Sequence, residues 1–427
     1  MGPGPTEGRG RCGRAAWAGA PKLPGMSAPV PADPGATPTA ARALAPDLAR
    51  GGMLLLIALA NVHVWGWGHP LGVRGYPQHL EGVDPWIALA QLTFVDGRAY
   101  PLFALLFGYG VVQLARRREA VGVPDRAVTR LVRRRGLWMI LIGAAHGVLL
   151  WSGDIIGAYG LLAVLMAGLL VRGTDVSLLV TTAVGVLLVA VLYAGTGVPT
   201  GAQQAFLPSM TIEDPVAALV ARAGEWAAIG LVLQAIGVFG AVALGAWAAR
   251  RRLLDEPERH LALLVRVAVL GIGAAVLVGL PLGLLGSGLW TSPPLQAVLV
   301  AGSLHAAGGY AGGAGYAALF GLVAARLTRR GGPGPVAAAL RASGQRSMSC
   351  YIAQSVAFAA LLPAWTFGLG EGAQLWQLAL VGLGAWLVIL VVAAVSARVG
   401  VRGPAEVLLR RLTYGPRGAP ASAHVAP

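Results

Sequence analysis

Residues 137–171 read LWMILIGAAHGVLLWSGDIIGAYGLLAVLMAGLLV. A histidine, His146, and an aspartate, Asp154, sit inside an otherwise apolar run. As one straight helix these 35 residues would extend about 52 Å at about 1.5 Å per residue, against a hydrocarbon layer about 30 Å thick. Arg133, Arg134 and Arg135 precede the run and Arg172 follows it. Arginine marks the cytoplasmic side of a membrane helix, so both ends lie on one side and the run must turn back. Ser152-Gly153-Asp154 is the only polar, turn-capable triplet between them. Asp154 is therefore expected at the outer tip of a tight helical hairpin. There it caps the returning helix, whose positive dipole end favours an anion. His146 falls about two turns before the tip.

The rest of the chain fits a membrane setting. Of its 427 residues, 56% are hydrophobic and 12% charged, where soluble domains carry roughly 25% charged residues. So few charges cannot cover a water-facing surface. The net charge of +15 does not imply nucleic-acid binding, because the arginines punctuate apolar segments and build no single basic module. Lysine occurs once, at Lys22. The two cysteines, Cys12 and Cys350, offer neither a disulfide framework nor a metal-ligand spacing. No metal site and no cofactor class are indicated.

Ten segments are long and apolar enough for a crossing of about 20 residues: roughly 51–68, 97–115, 137–151, 155–171, 176–195, 228–249, 262–285, 297–325, 348–368 and 375–397. The fold class expected is an all-α, multi-spanning membrane protein. Residues 116–135 hold eight arginines, and 250–266, 326–346 and 398–417 hold five each. With Arg172 they alternate with connections holding only Arg74, Arg98 and Arg222. The positive-inside rule then puts both termini in the cytoplasm. Eight acids, among them Asp96, Asp154 and Glu225, fall on the opposite, outer side. Residues 1–45, rich in Pro, Gly and Ala, are expected to be a disordered cytoplasmic tail, with Met26 an alternative to Met1 as the start. The membrane domain is expected over 46–415 and a second disordered tail over 416–427. Ala58-Leu59-Ala60 imitates a signal-peptidase site, but a leader of about 50 residues is too long for one, so an uncleaved first helix is expected.

Ionisable groups inside a membrane cost roughly 2.5–3.5 kcal/mol each on insertion scales. Several gather on the outer side of this topology: Asn61 and His63 at the end of the first span, Asp96 and Arg98 at the start of the second, and His146 and Asp154 in the hairpin. The expectation is one polar site in which a neutral His146, near Asp154 or Asp96, serves as general base. Taken singly, each has a plainer reading: Asp96 pairs with Arg98, Asp154 only caps, and His146 bonds a neighbouring helix. Ser347, Tyr351, Gln354 and Ser355 share a face of the ninth span and either line a cavity or join helices. Gly308 and Gly312 permit close packing of the eighth span, where His305 reads as a packing histidine.

The blocks LARGGMLLLIALANVHVW, FVDGRAYPLFALLFGYGVVQLARR, LIGAAHGVLLWSGDIIGAYG, GQRSMSCYIAQS and RGPAEVLLRRLTYG resemble, in order, those of the YeiB-like family (domain of unknown function 418). The resemblance covers about residues 47–415. It implies a multi-pass protein of the bacterial cytoplasmic membrane with undefined function. Asn61, Phe103, Gly108, His146, Gly153, Asp154, Gln354, Ser355, Pro404, Glu406 and Arg410 match its motif positions. The family is also distantly similar to integral membrane acyltransferases, whose first helix carries an arginine, ten intervening residues and a histidine. Here Arg50 is followed at that spacing by Asn61, so acyl transfer would leave the base role to His146. Asn61, Asp96, Arg98, Gln354 and Ser355 are then the candidate substrate-binding residues. The partners implied are the lipid bilayer and an acyl donor or other small-molecule or lipid substrate, with no nucleic acid. The donor would bind its phosphates among the arginines of 116–135. The competing expectation is a transporter or permease for a small polar or amphiphilic solute, and a third is a membrane scaffold.

Overall fold

A computed structural model describes residues 1–2, 43–201 and 204–415, and every helix described belongs to the compact unit that begins at Pro38. Both expected tails lie outside the described residues except at 1–2 and 43–45, and the first helix begins at Leu44. Fourteen α-helices make up the described chain. They are α1 (Leu44–Val62), α2 (Asp84–Phe94), α3 (Ala99–Glu119), α4 (Asp125–Leu149), α5 (Ile156–Arg172), α6 (Asp175–Leu192) and α7 (Pro215–Glu225). Then come α8 (Gln234–Arg250), α9 (Leu261–Gly286), α10 (Leu295–Arg329), α11 (Pro335–Gly344), α12 (Ser347–Leu361), α13 (Leu375–Arg398) and α14 (Pro404–Tyr414). Isolated bridges such as Trp67 with Ala205 are the only β-type pairing among the described residues.

Six helical stretches have the length and apolarity to cross a membrane: Leu44–Trp65, Asp84–Glu119, Asp175–Leu192, Pro215–Arg250, Pro257–Gly286 and Leu375–Arg398. α5 and α12 are shorter apolar helices. Leucines and valines lie exposed all along α6, α9 and α13, as in Leu187, Leu270 and Val388. Water would not tolerate so many, whereas lipid tails are their natural solvent. The chain is an all-helical membrane protein.

Each expected span has a helix, but several limits move. α4 starts at Asp125, twelve residues before the expected 137, because its arginine-rich first half is helical rather than a loop. α12 stops at Leu361 rather than 368, since Pro363 cannot continue a helix. Ahead of α8, α7 and a π-helical stretch Trp226–Leu233 carry the span back to Pro215. α2 is an unexpected helix, and α2 with α3 forms one broken rod interrupted at Val95–Arg98.

Small residues set the closest crossings. A Cβ on Gly108 of α3 would lie 1.9 Å from the Val242 carbonyl oxygen of α8, and one on Gly245 would lie 1.9 Å from that of Leu105. The two backbones touch at a reciprocal glycine pair, the means by which lipid-embedded helices gain dispersion contact. Gly308 of α10 meets α9 in the way expected, with Val278 2.3 Å from a Cβ built there.

The basic segments gather at one end. Asp175, which begins α6, lies 3.5 Å from Arg250 and 3.0 Å from Arg251 at the end of α8. Arg116 reaches Asp255 at 3.3 Å, Gln345 donates to Asp47 at 3.1 Å, and Arg134 donates to the Leu412 carbonyl at 3.2 Å. Glu406 of α14 accepts from the Met348 and Ser349 amides, at 2.8 and 3.2 Å, and so caps α12 from outside. The polar positions of the RGPAEVLLRRLTYG block thus include a helix cap.

Candidate functional site

The hairpin forms as the sequence requires. α4 ends at Leu149, α5 begins at Ile156, and Ser152-Gly153-Asp154 makes the turn. Asp154 is fully buried. Its carboxylate accepts from the Ile156 amide at 3.0 Å and the Gly157 amide at 2.6 Å, satisfying two of the orphan donors that open α5. It also takes the Trp226 indole N–H at 3.4 Å and stands 2.8 Å from His146 Nδ1. A carboxylate only accepts, so Nδ1 donates to it. Nε2 of His146 is buried and has no protein partner. Asp154 is thus a helix cap with both carboxylate oxygens engaged, and Nε2 of His146 is left without a protein partner. The Tyr351 ring lies 5.1 Å from the His146 ring.

Ser152 ties the tip down. Its hydroxyl donates to Glu225 at 2.6 Å, and the same carboxylate accepts from the Ser209 amide and hydroxyl at 2.8 and 2.7 Å. Arg222, one turn earlier on α7, donates to the Val148 carbonyl at 2.8 Å and stacks over Trp365.

The second polar focus lies at the break between α2 and α3. Asp96 does not pair side chain to side chain with Arg98. Its carboxylate takes Arg74 in a two-pronged ion pair, Nε at 2.6 Å and Nη2 at 3.1 Å. Arg74 comes from the loop after α1 and holds φ 53°, a conformation costly for a side-chain-bearing residue. Burial alone would lower the Arg74 pKa, but the Asp96 charge and hydrogen bonds prevail and raise it. The loop is fastened further by His63, whose Nε2 lies 3.3 Å from the Arg74 carbonyl and whose ring stacks on Tyr76 at 4.0 Å. Arg98 is fully buried. It threads between Gly279 of α9 and Gly312 of α10, donating to the carbonyls of Asp96 and Ala275, each at 2.7 Å, and to His305 Nε2 at 2.5 Å.

A cavity of about 170 Å³ lies beside these groups. Asn61, His63, Arg74, Asp96, Tyr100 and His305 supply its polar wall. Tyr100 donates its hydroxyl to Asn61 Oδ1. The hairpin tip contributes Trp151 and Gly153 to the lining, while His146 and Asp154 lie outside it. Of the expected binding residues, Asn61 and Asp96 line the cavity. Arg98 stands behind His305. Gln354 and Ser355 are buried away from the lining, and Gln354 joins α12 to α1 by donating to the Leu54 carbonyl at 2.9 Å. Arg74, Tyr100 and His305 are site residues that sequence reasoning misses. Charge balance could have pointed to Arg74, since only three arginines occur in the acid-bearing connections and a buried Asp96 requires one of them. Among the described residues no three His, Cys, Asp or Glu side chains cluster in a way that would hold a metal ion.

The fold and site define a polytopic helical membrane protein with a partly open cavity, walled by polar and apolar side chains, at the end opposite its basic segments. Residues 248–416 match the family described as "Protein of unknown function (DUF418)". The chain is 30% identical over 212 residues to the uncharacterized protein YxaH of Bacillus subtilis (strain 168), an alignment covering 43% of this chain and 52% of that one. It is 31% identical over 151 residues to the uncharacterized protein YeiB of Escherichia coli (strain K12), covering 34% of this chain and 35% of that one. The matches span about half or less of the length of these relatives. Over residues 248–416 the chain is similar to the DUF418 family, and over parts of its length to YxaH and YeiB.

Proposed function

We propose that this protein is an acyl-group transferase of the bacterial cytoplasmic membrane that modifies an acceptor on the outer face. The reading takes the ten spans and the cytoplasmic termini of the arginine pattern, which set the basic end inside and the cavity outside. The observation that carries it is the His146 imidazole, held at Nδ1 by Asp154 2.8 Å away while Nε2 has no protein partner. That arrangement is what a general base needs: a fixed tautomer, a fixed ring and a free lone pair.

The chemistry is that of a base-assisted acyl exchange. The acceptor hydroxyl gives its proton to Nε2 as its oxygen attacks the carbonyl carbon of an activated acyl ester or thioester. The bond to the leaving group breaks, and the proton passes from Nε2 to that group. Asp154 stabilises the imidazolium in between. Arginines of 116–135 bind the phosphates of a cytoplasmic donor. His146→Ala and Asp154→Ala, in cells assayed for alkali-labile acyl esters on surface glycans and lipids, should abolish the ester while the protein still inserts. Esters unchanged in both variants would refute the proposal.

Transport is the second reading. It is favoured by the broken rod at Val95–Arg98 and by the π-helical stretch Trp226–Leu233, both of which contribute to the cavity wall. Interrupted helices at a polar site are a feature of transporters. Unaltered esters together with lost solute uptake in the same variants would select it.

A further inference from the structure

The charged groups in the cavity wall, Arg74 and Asp96, balance each other, and a further cation, Arg98, stands behind the wall. Two arginines, Arg74 and Arg98, flank one carboxylate, Asp96, and that carboxylate is engaged by Arg74 through two bonds. Among the described residues Arg98 meets carbonyl oxygens and an imidazole but no carboxylate side chain. A buried guanidinium normally keeps a counter-ion, because its desolvation is otherwise uncompensated.

His305 conveys that charge to the cavity. A guanidinium can only donate, so His305 Nε2 accepts from Arg98 and the imidazole proton sits on Nδ1. The same nitrogen lies 3.0 Å from the Leu92 carbonyl, a contact that would need the other tautomer and that the shorter, charge-assisted one from Arg98 outweighs. Nδ1–H is buried, has no protein partner, and belongs to a side chain that lines the cavity. Its edge of the ring faces Gly97, also in the lining, where a Cβ would come within 2.7 Å of Cε1 and 3.3 Å of Nδ1. Donation from the arginine polarises the ring and strengthens Nδ1–H as a donor. The first turn of α3, with Tyr100 and Pro101 in the same wall, adds the positive end of a helix dipole.

We infer that the cavity binds an anionic group, a carboxylate or a phosphate, through His305 Nδ1–H backed by Arg98. This rests on the cavity being the acceptor site and names the acceptor's class: a molecule with an anionic group and a hydroxyl, either free in solution or on a lipid headgroup.

The test uses the purified full-length protein in neutral detergent, with its thermal midpoint followed against sn-glycerol 3-phosphate and against glycerol. Glycerol 3-phosphate should raise the midpoint in a saturable way and glycerol should not. The same titration with phosphatidylglycerol against phosphatidylcholine in mixed micelles separates a lipid-borne anion from a free one. Protection by either anion supports the inference, and protection by neither overturns it. His305→Phe should weaken the apparent affinity at least tenfold. Gln234→Glu, an isosteric change in the cavity wall that supplies the missing carboxylate, should fold normally and lose the anion response. A full response in Gln234→Glu would contradict the assignment. His146→Ala should bind the anion as the unaltered chain does. Lost transfer with retained binding therefore counts against neither proposal. Retained transfer in both His146→Ala and Asp154→Ala refutes the transferase reading, and an absent anion response overturns only this inference.

Discussion

The hairpin tip and the α2–α3 break each place an acid and a base in an apolar run, yet they solve the burial problem in opposite ways. Asp154 is neutralised locally. Two amides of its own helix start, an indole and a histidine eight residues away satisfy it without any full cation. Asp96 is neutralised from a distance, by an arginine 22 residues back on a loop that must hold a left-handed backbone to deliver it. The first arrangement leaves one imidazole nitrogen without a protein partner, and the second sets two guanidiniums against one carboxylate. A local solution is insensitive to how the bundle packs. A remote one depends on several elements arriving together, and so it couples the loop after α1, the helix break and α10.

The largest expected effect separates the two. Asp96→Asn strands Arg74 beside an already uncompensated Arg98 and should destabilise the protein by about 3–5 kcal/mol, the usual consequence of removing one partner of a buried pair. Adding Arg74→Met should recover most of that loss in the same detergent unfolding measurement. A single-variant loss under about 1 kcal/mol would mean that the pair is not a true buried ion pair. Asp154→Ala should cost less, about 1–3 kcal/mol, since it removes a cap and leaves neutral donors unsatisfied. If it matched Asp96→Asn, the contrast between the two acids would fail. Gly97→Ala should cost about 1–2 kcal/mol, because Gly97 holds φ +74° and its missing Cβ would press on His305. His146→Gln should change stability by under about 1 kcal/mol while abolishing acyl transfer. A large unfolding effect would mark His146 as structural.

Much of this is legible in the sequence wherever local length and charge decide the outcome. The 137–171 run has to turn, and only one triplet can turn it. Asp154 then has to lie at a helix start, and His146 within reach. The second focus depends on tertiary information. Arg74 looks like a loop arginine, and nothing near it signals that its backbone enters the left-handed region. α2 is 11 residues long, too short to be recognised as a span. The first half of α4 is hidden because its arginines resemble a loop, although arginine is a good helix former. Gln354 and Ser355 share a face with Tyr351, as spacing requires, but only the packing of α12 on α1 decides that this face binds a helix rather than a ligand.

The claim that both foci serve one site open to the outer face has a direct test. Phe206 is exposed and lines the cavity. With Cys12 and Cys350 replaced by serine, Phe206→Cys should react with a membrane-impermeant maleimide in intact cells. Reaction only after permeabilisation would put the cavity on the cytoplasmic side and contradict the account.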